Sequence, residues 1–238
     1  MTRTLTAVYA WAALAGAQAG AALLVSLDAR DFTTGSREWP QRISNGSLSV
    51  PFRTHGSPVR MDVGGAPAVV LDGLDDFFIG PATTSPLHAP SAPHSVEAWV
   101  YQGNIRGEES IVSWGRRGGD DGTFSGFRFG ADPHNGAIAR WGPRDSGYHT
   151  LPASGRWHYL VFAYDGKFQY LYVDGQLDIA REVGSLDPHN GHPIMLGAEL
   201  RSDLSIEGRF TRFSGALAKL RIHASCLDAT QVPVSYTH

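Results

Sequence analysis

Cysteine is almost missing: Cys226 is the only one in 238 residues. No disulfide can form within the chain, and no cysteine-based zinc site is possible. Cys226 itself reads as a small buried apolar residue. The scarcity does not argue against export, because a core of this size needs no covalent staples. Lysine is nearly absent too, with only Lys167 and Lys219, and the formal net charge is −3. With no basic stripe, a nucleic-acid partner is excluded. No apolar run is long enough for a membrane span. Several chemical signatures are also missing. There is no Gly-x-Ser-x-Gly elbow, no phosphate-binding glycine loop followed by Lys-Ser/Thr, and no His-Glu-x-x-His. The ten histidines are scattered over loops and strands.

Turn formers and β-formers are abundant. Glycine occurs 28 times and proline 14 times, while hydrophobic residues make up 42%, enough for a sizeable core. The clearest local signal runs from Trp157 to Gly175: Trp-His-Tyr-Leu-Val-Phe-Ala-Tyr-Asp-Gly, then Lys-Phe-Gln-Tyr-Leu-Tyr-Val-Asp-Gly. Two aromatic, β-branched runs broken by Asp165-Gly166 and closed by Asp174-Gly175 specify an antiparallel hairpin. Asp-Gly also occurs at 72 and 121, and Asn-Gly at 45, 135 and 190. Between these turns the expected strands are Leu23–Asp28, Ala68–Leu71, Phe77–Ile79, Val96–Tyr101, Ser110–Trp114, Gly126–Phe129, Ala137–Trp141, Trp157–Tyr164, Phe168–Val173, Pro193–Gly197 and Ala216–His223. Many short strands with frequent turns give an all-β sandwich or barrel. Thr83 to His94, rich in proline and histidine, reads as a loop within one domain.

Both faces of Trp157–Tyr164 are apolar, which places that strand centrally in its sheet. His158 is expected to alternate out of the core. In Ser95–Tyr101 the set Glu97, Trp99 and Tyr101 is amphipathic and suits a concave face. The string Asp-Pro-His-Asn-Gly occurs at 132–136 and again at 187–191. Its composition is that of a turn. A metal or ligand site using Asp132, His134, Asp187, His189 and His192 is the alternative.

The N-terminus has Arg3, a short apolar stretch from Ala7 to Ala15, and Ala17-Gln18-Ala19 as a cleavage pattern. Residues 1–21 therefore read as a signal peptide, with an N-terminal extension of a cytosolic protein as the alternative, 22–228 as one domain, and 229–238 as a truncated or artefactual tail, with a natural ending as the alternative. Asp228 is an expected N-cap for a final helical turn that Pro233 ends.

Five landmarks follow in order: Leu-Leu-Val-Ser-Leu-Asp-Ala (23–29), Val-Val-Leu-Asp-Gly-Leu-Asp-Asp-Phe-Phe (69–78), Ser-Val-Glu-Ala-Trp-Val (95–100), the Trp157 hairpin, and Phe-Ser-Gly-Ala-Leu-Ala-Lys-Leu-Arg-Ile-His-Ala-Ser-Cys-Leu (213–227). Their order resembles the laminin-G-like, concanavalin A-like lectin/glucanase superfamily. The resemblance implies a jelly roll of two antiparallel sheets in a secreted or cell-envelope module that binds polysaccharide or glycoprotein. It also implies a structural calcium held in part by Asp75 and Asp76, with other ligands from distant loops or backbone; the alternative is a solvated turn hydrogen-bonded to its own backbone. Further domains of a parent chain are expected.

Some members of the superfamily hydrolyse glycosidic bonds with paired carboxylates. The endoglucanase signature Glu-x-Asp-x-x-Glu is absent. Glu97 stands alone in its strand and reads as a hydrogen-bonded structural residue, while Glu108-Glu109 lie at a strand start. Hydrolysis therefore stands behind binding. Two loops carry the binding chemistry: Arg116, Arg117, Asp120 and Asp121 on one, Trp141, Arg144 and Asp145 on the other. They are expected to form one polar, aromatic-edged patch that takes a saccharide. The alternative keeps Trp114 and Trp141 in the core and leaves the charges to solvate the loops. No catalytic residue is assigned, and a protein-interaction module is the next reading.

Overall fold

Alternating side chains along short strands need two apolar faces to meet, and the computed structural model shows them meeting in two antiparallel sheets. It describes residues 22–83, 87–188 and 191–232. The expected signal peptide, His189 and residues 233–238 lie outside the described residues.

The first sheet holds β1 (Leu23–Asp28), β4 (Val59–Val63), β5 (Ala66–Val70), β7 (His94–Tyr101), β11 (Trp157–Tyr164), β12 (Phe168–Val173), β13 (Gln176–Glu182) and β15 (Ala216–His223). Its order is β13-β12-β11-β7-β15-β5-β4, with β1 also on β15. The second holds β2 (Glu38–Trp39), β3 (Phe52–His55), β6 (Phe77–Ala82), β8 (Ser110–Gly115), β9 (Phe124–Arg128), β10 (Ile138–Ala139) and β14 (Pro193–Leu196). Its order is β10-β9-β8-β14-β6-β3-β2. Every strand pairing is antiparallel. Two 3-10 turns, at Ala29–Asp31 and Arg209–Thr211, are the helical elements among the described residues. This is the expected jelly-roll sandwich.

The core lies between the sheets. Val96, Ala98, Val100, Leu160, Phe162, Leu171, Leu220 and Ile222 of the first face Trp39, Phe52, Phe78, Trp114, Phe127 and Leu196 of the second. Phe127 and Phe162 meet across the gap at 5.2 Å between ring centroids. The hairpin β11–β12 forms as expected. Its far turn, into β13, has both Asp174 (φ 50°) and Gly175 (φ 82°) left-handed, as a tight two-residue connection requires.

Three expectations need correction. His158 is not turned out: it is buried on the inner side of β11. Its Nδ1 lies 2.8 Å from Asp174 and its Nε2 2.8 Å from the Ala153 carbonyl. Trp157 takes the outer face instead, donating to the Val63 carbonyl at 2.8 Å. Cys226 is only half-buried, and burial still pushes its thiol up to about 11. Finally β2, β3, β4 and β13 were not expected as strands. Glu97, by contrast, is a buried acceptor as expected: it takes the Tyr159 hydroxyl at 2.8 Å and lies 2.5 Å from His223 Nε2. Burial works against its charge, yet the bonds from His223 and Tyr159 hold it below the ordinary range. At the chain end Asp228 accepts the N–H groups of Thr230 and Gln231, so the cap forms over a single turn.

Between the sheets two basic residues, Arg140 and His94, are fully enclosed. Arg140 reaches Ser125 Oγ at 2.5 Å and Gln169 Oε1 at 3.2 Å and lies over the Phe127 ring; burial lowers its guanidinium to about 10. His94 sits among Trp114, Phe127 and Tyr164. Its burial, reinforced by Arg140, brings its pKa down to about 3. The unfolded ring takes up a proton near pH 6.5 and the folded one does not. His94 therefore costs nothing above that pH, and stability falls as pH drops from about 6.5 toward 3. Replacing His94 by Phe should shrink the loss of unfolding free energy between pH 7 and pH 4 by about 3 kcal/mol, an upper figure. Urea unfolding of both proteins at the two pH values checks this. Equal losses would show that His94 is not the group responsible.

Candidate functional site

The two expected loops do meet. The first, 116–123, leaves β8 and returns to β9; the second follows β10. Gly122 N donates to the Arg140 carbonyl at 2.8 Å, and Arg144 joins Asp121 through its carbonyl (3.0 Å) and carboxylate (3.3 Å). A Cβ at Gly142 would lie 2.9 Å from the Asp121 carboxylate, so glycine permits the close approach.

Trp141 stands on this junction. It is 38% exposed, while Trp114 is buried in the core. The core assignment therefore holds for Trp114 and fails for Trp141. Its φ of 71° is left-handed, an unusual conformation for a bulky residue. Asp145 holds it there by accepting N–H bonds from Arg140, Trp141 (2.9 Å) and Gly142 (3.4 Å). Burial raises the Asp145 pKa, against the lowering effect of those bonds. The twist lifts the indole out of the sheet and over Arg117, whose guanidinium carbon is 4.8 Å from the ring. Phe210, 53% exposed, flanks the same guanidinium at 5.4 Å. Two rings thus form an aromatic platform over one buried cation.

Arg117 is fixed from below. The segment after β14 folds into a small hairpin, with Arg201 N bonded to Ser205 O and Glu207 N to Glu199 O, both at 2.8 Å. This brings Glu199 and Glu207 to Arg117, Glu207 at 3.0 Å. Glu199 also grips Arg128 through both carboxylate oxygens, at 2.8 and 2.9 Å, and Glu108 lies 3.0 Å from Arg128. Burial opposes the Glu207 charge, but the bond from Arg201 keeps its pKa below the ordinary range.

Of the seven expected patch residues, Trp141 is the exposed ring and Arg117 its support. Arg144, Asp121 and Asp145 tie the loops together. Arg116 and Asp120 face water and form no ion pair among the described residues. Phe210, Glu199 and Glu207 were missed. For the two acids the signal was the run Glu199-Leu-Arg-Ser-Asp-Leu-Ser-Ile-Glu207, a polar–apolar alternation around an Asp turn. The first Asp-Pro-His-Asn-Gly copy behaves as a turn, with Asp132 accepting from His134 N and Asn135 N, while the central residues of the second copy, 189 and 190, lie outside the described residues.

A second cluster lies at the β5–β6 turn, where Asp72 joins the expected Asp75 and Asp76. One carboxylate oxygen from each lies within 4.8 Å of the others. Asp72 Oδ1 accepts from Leu74, Asp75 and Asp76 N–H, and Asp76 from Ser57 and Asp72 N–H. Burial raises the Asp76 pKa, and the charges of Asp72 and Asp75 add to this. That is the repulsion a cation relieves. Hard carboxylate oxygens fit part of a divalent-ion site; calcium needs about 6–8 oxygens, so carbonyls or water would complete it. A Cβ at Gly56 would lie 2.4 Å from Asp76 Oδ1, so the backbone closes one side of the cluster.

Among solved structures, the chain is similar to domain 4 of AbnA, a GH43 extracellular arabinanase from Geobacillus stearothermophilus, in complex with arabinotriose. The identity is 17% and the TM-score 0.67, covering 89% of this chain and 97% of that one. It is also similar to Trypanosoma rangeli sialidase at 14% identity and TM-score 0.62, covering 89% of this chain but only 32% of the sialidase. The receptor binding domain of a botulinum neurotoxin C/D mosaic serotype matches at 12% identity and TM-score 0.56, over 88% of this chain and 49% of that one. These likenesses show the fold alone. No curated protein matches the chain in sequence. A family model described as the concanavalin A-like lectin/glucanases superfamily, of laminin-G type, matches residues 80–233. That span exceeds half of the chain and runs through both sheets, and the chain belongs to this superfamily.

Proposed function

We propose that the chain is a non-catalytic carbohydrate-binding module of a larger secreted or surface protein, with Trp141 at its binding site. One observation carries this reading. A bulky aromatic is held out of the core in a strained conformation, on a junction of two polar loops, beside a second exposed ring. Sugars offer C–H faces to such rings and hydroxyls to the surrounding charges, here Arg116 and Asp120. Truncated aromatic anchors at binding sites cost about 2 kcal/mol or more. The arabinotriose bound to the similar arabinanase domain supports the ligand class.

The glutamates beneath the platform favour binding over hydrolysis, and Asp145, whose pKa burial raises, spends Oδ1 on three main-chain N–H groups. A glycosidase needs one carboxyl kept protonated as the acid. Glu108, Glu199 and Glu207 each face arginine, and Glu207 is held in the charged form. No helix among the described residues is long and apolar enough to cross a membrane. Calcium at Asp72, Asp75 and Asp76 would brace the β5–β6 turn and carry no chemical step.

Trp141→Ala should weaken binding to the best ligand on a glycan array by roughly thirtyfold, about 2 kcal/mol, with an unchanged melting temperature. Unchanged binding would remove the platform from the site. No reducing sugar should be released from a polysaccharide panel; measurable release would make the chain an enzyme. Calcium should raise the melting temperature and a chelator reverse it. Asp75→Asn should remove most of that rise, and a melting temperature indifferent to calcium would dismiss the ion.

A further inference from the structure

The loop that carries Trp141 has a second side. Beyond Asp145 it borders a groove of about 430 Å³ along the exposed edge strand β13. That volume falls within the range of small-molecule clefts, about 300–1,000 Å³. The walls mix apolar and polar surface: Pro133, Ile179 and Ala180 beside His134, His149 and Asp178. His134 and His149 are exposed side chains.

The groove is held open by its own bonds. Asp178 accepts from His149 N and Thr150 N, both at 2.9 Å, fixing segment 145–150 against the strand. Arg181 crosses from β13 to the loop and donates to the Asp145 and Pro143 carbonyls, the latter at 2.6 Å. One arginine stands against two carboxylates, Asp145 and Asp178, so the formal charge does not favour an anion. Each carboxylate keeps lone pairs beyond its main-chain bonds, ready to accept hydroxyls. Apolar patches for C–H faces, imidazoles and carboxylates for hydroxyls, and no surplus of positive charge describe a site for a neutral saccharide.

We propose that this groove is a second saccharide subsite, joined to the Trp141 platform through Asp145, which lines the groove and holds the Trp141 main chain. The module then grips consecutive units within a neutral glycan chain rather than one terminal sugar. The proposal rests on the platform reading, and the two fail differently. Calorimetry with arabino-, xylo-, manno- and galacto-oligosaccharides of one to six units is the test, on the full chain. For the ladder that binds, affinity should rise about tenfold or more from one unit to three. Ala180→Trp, which fills the groove, should flatten that rise and leave monosaccharide affinity within twofold. His149→Ala should reduce it with less risk to folding and decides the matter if Ala180→Trp does not fold. Trp141→Ala should weaken every member of the ladder. Loss of the length dependence in the groove variants alone supports the subsite. A length dependence untouched by both groove variants overturns it while leaving the platform standing. Indifference to Trp141→Ala, with the groove variants active, overturns the platform reading instead. Binding to none of the ladders overturns both.

Discussion

The site depends on one buried charge contact. Glu199 has no surface in water and holds Arg128 and Arg117 at once. Charges taken so far from solvent are stable only when matched and hydrogen-bonded, and removing one partner strands the other. Arg128 belongs to β9, Glu199 to the hairpin after β14, and Arg117 to the loop after β8. The pairing therefore joins three segments distant in sequence on the outer face of the second sheet. It fixes the cation over which Trp141 and Phe210 lie. The ring positions are set from the sheet beneath them rather than by the loops alone.

The fold was legible because its signals were local. In β11 and β12 the apolar runs and the Asp-Gly turns gave both strands with their observed limits. β4 and β13 escaped notice for a physical reason. Both are exposed edge strands, so Arg60, Met61 and Asp62 in one and Leu177, Asp178 and Arg181 in the other show no buried face to alternate with. Which face of β11 turns inward was equally hidden. Leu160 and Phe162 differ little in hydrophobicity from Tyr159 and Val161, and the outer set is partly covered by Leu227 and Val232.

The two tryptophans show where local reading stops. Trp114 and Trp141 are each followed by glycine in a turn-rich setting, yet one fills the core and the other stands in water. The difference is a single backbone rotation at Trp141, imposed by Asp145 four residues on. Asp145 could be recognised as a polar loop residue, but its acceptance of three successive N–H groups depends on the folded path of the chain. The missed acids were harder still. Glu199 and Glu207 matter through arginines about 70 to 90 residues away, a pairing no short pattern encodes.

The outer margins of the first sheet have a consequence for crowding. Unpaired strand margins invite sheet-to-sheet addition between molecules. Here Arg60 and Asp62 alternate along one margin and Asp178, Arg181 and Glu182 along the other, and the His149–Thr150 main chain is docked on Asp178. Both margins therefore present charged side chains of either sign where another strand would have to dock, and burying them makes edge-to-edge pairing between copies costly.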